Sequence, residues 1–295
     1  MYQNHAPRRL RAIPIVALIV FGLVAASCSN PAPPGGFTLK FQATKVTNVS
    51  FVGDYPLTFW DNDSAEEPYL VHLGLRLNLN PVTVTTSVAS TYLNNGDYIG
   101  KISAGQTLLD TKNDGLTWSG VQLPDTADLA NGAPLEILGS VEFLFDRDQL
   151  IPFGIANVLT GVSQVINQAL PPILANGGLP SDPQSLLTFL GAILPSVFTT
   201  IGGAVQAVIG QLLGSDTFFG FQPVFFIAAG GGLGDFLKNS LPSLMGLVNT
   251  VLEAQPDSAF PNGLPLSIGV ARQPIALTFG TAPGTSVYQV TYGWS

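Results

Sequence analysis

The stretch Tyr69-Leu70-Val71-His72-Leu73-Gly74-Leu75-Arg76-Leu77-Asn78-Leu79-Asn80 alternates apolar and polar residues with a period of two. Leu73, Leu75, Leu77 and Leu79 fall on one side, and His72, Gly74, Arg76 and Asn78 on the other. A helix would scatter these leucines around its circumference, whereas a pleated strand gathers them on one face. The stretch reads as a half-buried strand, and it makes a sheet the starting point of the core.

Upstream, residues 37–51 alternate in the same way. Downstream, short β-prone pieces between Val82 and Pro134 are punctuated by the turn signals Asn94-Asn95-Gly96-Asp97 and Asn113-Asp114-Gly115. Leu135–Phe145 is a further strand. At the far end, Leu264–Val270, Ile275–Phe279 and Ser286–Trp294 read as strands separated by Pro and Gly.

The middle of the chain has a different period. From Ile155, apolar residues recur at Val158, Leu159, Val162, Val165, Ile166, Ala169 and Leu170, which predicts a helix ended by Pro171-Pro172. A second periodic run covers Leu186–Leu213, with Asp182-Pro183 as its start and Pro195 as a kink. A third runs from near Leu233 to Pro256, and Phe218–Ala229 between them is a candidate strand. The expected architecture is α+β: an antiparallel β-sandwich formed by residues 37–149 and 259–295, with a mostly helical insertion at 150–258.

Only 10% of the residues are charged, against roughly 25% in an average domain. Fourteen of the 19 acids lie between Asp54 and Asp148, whereas residues 149–256 hold only Asp182, Asp216, Asp235, Lys238 and Glu253. A chain with this acidic balance repels phosphate backbones, so no nucleic acid is expected as a partner. Gln184–Ser215 carries no charge and is long enough to span a membrane, but Thr188, Ser196, Thr199, Thr200, Gln206 and Gln211 interrupt it. Packed amphipathic helices, or a surface for an apolar ligand or a partner envelope protein, are the readings for this insertion.

The N-terminus is ordered as basic residues (Arg8, Arg9, Arg11), an apolar run from Ile13 to Val24, then Ala25-Ala26-Ser27-Cys28. Residues 1–27 have the layout of a secretory signal. Small residues directly before the single cysteine resemble the lipobox of bacterial lipoproteins. That resemblance implies lipidation of Cys28 and an extracytoplasmic protein anchored to the bacterial cell membrane. Residues 28–36, rich in Pro and Gly, would be the tether. With Cys28 consumed, no thiolate nucleophile or thiolate metal site remains.

Acidic residues gather in Trp60-Asp61-Asn62-Asp63-Ser64-Ala65-Glu66-Glu67-Pro68-Tyr69, just before the leucine-rich strand, and in Asp146-Arg147-Asp148, just after the strand ending at Phe145. Loop carboxylates of this kind suit Ca²⁺, which takes about six to eight oxygen ligands in irregular geometry. Solvated loop ends, with Asp and Asn making turns, are the plainer reading. Over residues 37–155 the pattern resembles the calcium-dependent phospholipid-binding domains of synaptotagmin and protein kinase C. In that family an acid, a five-residue gap and Asp-Pro-Tyr precede a strand, and a later Asp-x-Asp follows another. The resemblance implies Asp61, Glu67, Asp146 and Asp148 as Ca²⁺ ligands, with Asp63 and Glu66 in reserve and Glu67 standing where the family has Asp.

Other motifs read blandly. His72 has no Ser or Cys context and Gly161-Val162-Ser163-Gln164-Val165 lacks the second glycine of a nucleophile elbow, so His72 is taken as structural. Gly230-Gly231-Gly232-Leu233-Gly234-Asp235 lacks the Lys-Ser/Thr of a phosphate loop and reads as a turn. The functional expectation is a non-enzymatic envelope lipoprotein binding Ca²⁺, lipid or both at an acidic loop end. A carrier or scaffold role for the insertion is the alternative, and a carboxylate-dependent hydrolase a third.

Overall fold

A computed structural model describes residues 36–50, 65–66, 68–90, 102–108, 115–146, 152–175, 177–212, 218–253, 266–268, 274–280 and 286–295. The signal segment, Cys28, the tether, Asp61, Asp63, Glu67 and Asp148 lie outside these residues. In chain order the elements are β1 (Phe37–Ser50), β2 (Ala65–Glu66), β3 (Pro68–Leu79), β4 (Val82–Ser90), β5 (Ile102–Ser103), β6 (Thr107–Leu108), β7 (Leu116–Val121), α1 (Thr126–Ala130), β8 (Glu136–Asp146), α2 (Pro152–Leu174), α3 (Pro183–Leu212), β9 (Phe218–Ala228), α4 (Gly231–Glu253), β10 (Leu266–Ile268), β11 (Ile275–Phe279) and β12 (Val287–Trp294).

The strands form two five-stranded sheets. The first runs β11-β12-β1-β6, with β7 also paired to β1; the second runs β10-β9-β8-β3-β4. Every pairing in them is antiparallel except β10 with β9. A short β2-β5 pair stands apart from both. Two largely antiparallel sheets with helices are the expected α+β class. The segment 150–258 supplies α2, α3 and α4 and also β9, which sits inside the second sheet between β8 and β10.

Alternation along β3 is as expected, but its polar face is not solvated. Odd positions from Tyr69 to Leu79 join a core with α2, α3, α4 and the odd positions of β8 and β9. Even positions turn toward the first sheet: Leu70 of β3, Leu138 and Leu144 of β8, and Phe226 of β9 share a second core with Phe41, Trp118, Tyr288, Tyr292 and Trp294. Contacts such as Phe226 to Trp294 at 5.4 Å and Phe219 to Tyr288 at 4.9 Å carry this packing from sheet to sheet. Thus β3 is buried on both faces, because a second layer covers the side that the polar residues mark as outward. Each leucine sealed in this way contributes about 1.5–3 kcal/mol.

Local chemistry explains the helix limits. Helix α2 does not stop at Pro171-Pro172 but continues to Leu174. Two prolines remove the donors that would reach the carbonyls of Asn167 and Gln168. Both residues are exposed, so water can satisfy those carbonyls. Pro195 lies inside α3, where a proline has no amide to donate to the carbonyl of Gly191 one turn back. At the start of α3, Asp182 Oδ1 accepts the Ser185 amide at 2.9 Å, an N-cap contact that holds this carboxyl below its usual range. The glycine run read as a turn is mostly the first turn of α4, and Gly230 just before it answers a close approach: a Cβ there would lie 2.9 Å from the Leu123 carbonyl oxygen.

Candidate functional site

Of the four acids proposed as Ca²⁺ ligands, the described residues include only the backbone of Asp146, the last residue of β8. It pairs with Pro68, the first residue of β3. The strand end that follows Glu67 and the strand end that opens Asp146-Arg147-Asp148 are therefore neighbours at one end of the second sheet. The backbone of Glu66, in reserve, pairs with Ile102 in the β2-β5 ribbon. Among the described residues no group of three or more His, Cys, Asp or Glu side chains converges as a metal site.

A polar constellation that sequence reasoning passed over lies between the sheets. In the β3-β8 register, His72 is opposite Glu142 and Gly74 is opposite Ser140, so all of these residues share the inward face. Glu142 is a hub: His72 Nδ1 bonds to its Oε2 and the Ser140 hydroxyl donates to its Oε1. His72 and Glu142 are fully buried, and Ser140 is 1% exposed. The Tyr292 ring of β12 meets the His72 ring edge-on, with centroids 6.4 Å apart. Burial and the neighbouring Glu142 carboxylate push the Tyr292 phenol well above its ordinary range. The Tyr292 hydroxyl and His72 Nε2 have no hydrogen bond of full geometry among the described residues.

One turn of the strand further on, Arg76 closes a second pair. Its Nη2 donates to Glu136 Oε1 at 2.6 Å and its Nε to the same oxygen at 3.2 Å. The guanidinium also donates to the carbonyls of Ser119 at 2.7 Å and Gly120 at 3.2 Å. Arg76 therefore ties the second sheet to β7 of the first. Asn48 of β1 ties its own sheet together and to the β2-β5 ribbon, donating to the Tyr288 hydroxyl of β12 at 3.4 Å and to the Ile102 carbonyl of β5 at 3.1 Å.

The chemistry available here is structural. In nucleophilic catalysis the imidazole contacts the hydroxyl and the carboxylate orients the imidazole. Here the carboxylate stands between Ser140 and His72, and the group is shut away from solvent. The reading of His72 as a structural strand histidine agrees with this geometry. What the sequence did not reveal was its partner, because the pairing depends on a register between strands about 70 residues apart.

The uncharged run of the insertion forms most of α3. Pro183–Val205 is long and apolar enough to cross a membrane by length and composition, yet half of that window is buried within the protein. Leu186, Leu190, Leu194, Phe198 and Ile201 face the core, whereas Ser185, Thr188, Ala192, Ser196 and Gly203 are exposed. Its scarcity of charge thus has two sources: an inward face given to packing and an outward face of small, mostly uncharged polar residues. Comparison with protein-family models, curated proteins and solved structures finds no match for this chain.

Proposed function

We propose that the chain is a non-enzymatic lipoprotein of the bacterial cell envelope, anchored through lipid on Cys28. In this reading a β-sandwich binds Ca²⁺, lipid or both at an acidic loop end carrying Asp61, Glu67, Asp146 and Asp148. The observation that carries the reading is the pairing of Pro68 with Asp146, which brings two strand ends flanked by acids in sequence side by side. Loops leaving adjacent strand ends can pool oxygen ligands, and Ca²⁺ tolerates the irregular geometry this produces.

Calorimetric titration of the purified protein with Ca²⁺ tests the proposal. Binding in the range of extracellular modules, about 0.1–1 mM, is expected. Asp146→Asn, which removes a charged ligand, should weaken it at least about tenfold, the scale of losing one strong ionic contact. Absence of both heat and thermal shift at millimolar Ca²⁺ rejects the ion site.

A further inference from the structure

Strand β1 runs from one end of the two sheets to the other, and the chain enters it at a defined end. Its first residue, Phe37, pairs with Val121, the last of β7. From there the chain passes Pro124, whose carbonyl accepts the Gly230 amide at 3.0 Å, into α1. Arg76 reaches the carbonyls of Ser119 and Gly120 beside that pair, and in the second sheet Arg76 is opposite Leu138 near the start of β8. The start of β1 therefore lies with the ends of β3 and β9 and the starts of β8 and α4. At its other end, Asn48 is opposite Tyr288, whose ring packs on Phe219 of β9 with centroids 4.9 Å apart. The neighbouring Phe218 is opposite Phe145, and the next residue, Asp146, is opposite Pro68. The end of β1 thus lies with the strand ends that the acids flank.

Chain length then limits how the protein can stand on a membrane. The 14 residues of β1 cover about 40 Å at ~3.2 Å per step. Eight residue steps separate Cys28 from Gly36, and a fully extended chain of that length spans at most about 29 Å. For the acid-flanked end to be turned onto the bilayer that holds Cys28, the start of β1 would have to stand about 40 Å above it, beyond the reach of the tether. Lying flat has little to hold it. Among the described residues the exposed large hydrophobics are Val49, Val165 and Leu247, single residues on β1, α2 and α4. The loop and helix at 122–134, beside the start of β1, carry Asp125 and Asp128 and no cation. Reach, rather than attraction to anionic headgroups, therefore keeps this end near the surface.

We infer that the end carrying Phe37, Val121 and α1 faces the bilayer that holds Cys28, and that the end carrying Pro68 and Asp146 is presented away from it. The inference rests on lipidation of Cys28 and is independent of Ca²⁺ binding. A lipid taken at the acidic end then comes from elsewhere than the anchoring bilayer.

Reconstitution of the lipidated full chain into vesicles tests it, with energy transfer to an acceptor on the lipid headgroups as the readout. Cys28 is the only cysteine and is consumed by lipid, so Ala130→Cys at the near end and Ser50→Cys at the far end each offer one labelling site. Both positions are exposed. Transfer from the label at position 130 should be several-fold that from the label at position 50. An insertion after Gly35 that doubles the tether should narrow this difference, because the far end then comes within reach. A wild-type chain that does not float with the vesicles overturns the anchor, and this inference with it. A chain that floats but shows equal transfer at the two positions, or more at position 50, overturns the orientation alone, as does a difference that the longer tether leaves unchanged.

Discussion

Toward the helices, β3 and β8 present Tyr69, Val71, Leu73, Leu75, Leu77, Ile137, Val141, Phe143 and Phe145, all of them buried and apolar. Toward the first sheet the same two strands present Leu70, His72, Arg76, Glu136, Leu138, Ser140, Glu142 and Leu144. A slip of β3 along β8 by two residues keeps each side chain on its face. On the helix side such a slip sets one leucine where another had been, at little cost. On the sheet side it separates His72 from Glu142 and Arg76 from Glu136, leaving buried polar groups without their partners. The apolar face supplies most of the burial energy, and the polar face distinguishes one register from its neighbours.

Breaking the polar hub alone should give the largest effect. Glu142→Ala leaves His72 and the Ser140 hydroxyl buried without their acceptor, and loss of one member of a buried pair costs about 3–5 kcal/mol. Urea denaturation of the variant, with an unchanged m value, would show it. A loss below about 1 kcal/mol, the scale of an exposed pair, would mean that water reaches the hub and that the two faces differ less than their burial suggests.

Giving the sheet side the chemistry of the helix side should cost less than that single change. In the triple variant His72→Leu/Ser140→Ala/Glu142→Leu no polar group of the hub remains to be stranded. Replacing a buried ionic group by packed apolar residues is often neutral to within a few kcal/mol. The triple variant is therefore expected within about 1.5 kcal/mol of the wild type, the range of volume-conserving core changes. A triple variant less stable than Glu142→Ala would show that the hub holds the sheets together by attraction, rather than being tolerated for specificity.

The same contrast explains what could be read from the chain. Period-two alternation marked β3 in the second sheet and β1 in the first, β8, β9 and β10 were read as strands without it, and Asp182-Pro183 marked the start of α3 because capping is a local interaction. The helix end at Pro171-Pro172 was misplaced, since whether a proline ends a helix depends on solvent reaching the freed carbonyls, and exposure is a tertiary property. His72 and Glu142 each stood on a polar face in the sequence, but nothing local says that a second sheet covers that face or that the two residues meet. For the acidic loops, Asp61, Glu67 and Asp148 lie outside the described residues, and the Pro68–Asp146 pairing is what the fold adds to the sequence pattern.

The smallest effect concerns Tyr292, at the boundary between the polar hub and the first sheet. Its hydroxyl makes no hydrogen bond of full geometry among the described residues, so Tyr292→Phe should change stability at neutral pH by less than about 1 kcal/mol, the net worth of an ordinary hydrogen bond. The alkaline limb should change instead. Burial and Glu142 raise the folded-state pKa of the phenol, while in the unfolded chain it titrates near about 10. Above that pH the unfolded state has released a proton that the folded state still holds, so stability is full below about pH 10 and falls as pH rises further. Phenylalanine has no proton to lose and removes this contribution. Chemical denaturation between about pH 8 and 11 should show a shallower alkaline decline for Tyr292→Phe, a window set by the ordinary phenol pKa. Parallel curves for the two proteins would place Tyr292 outside the reach of Glu142 and assign the alkaline limb to other groups.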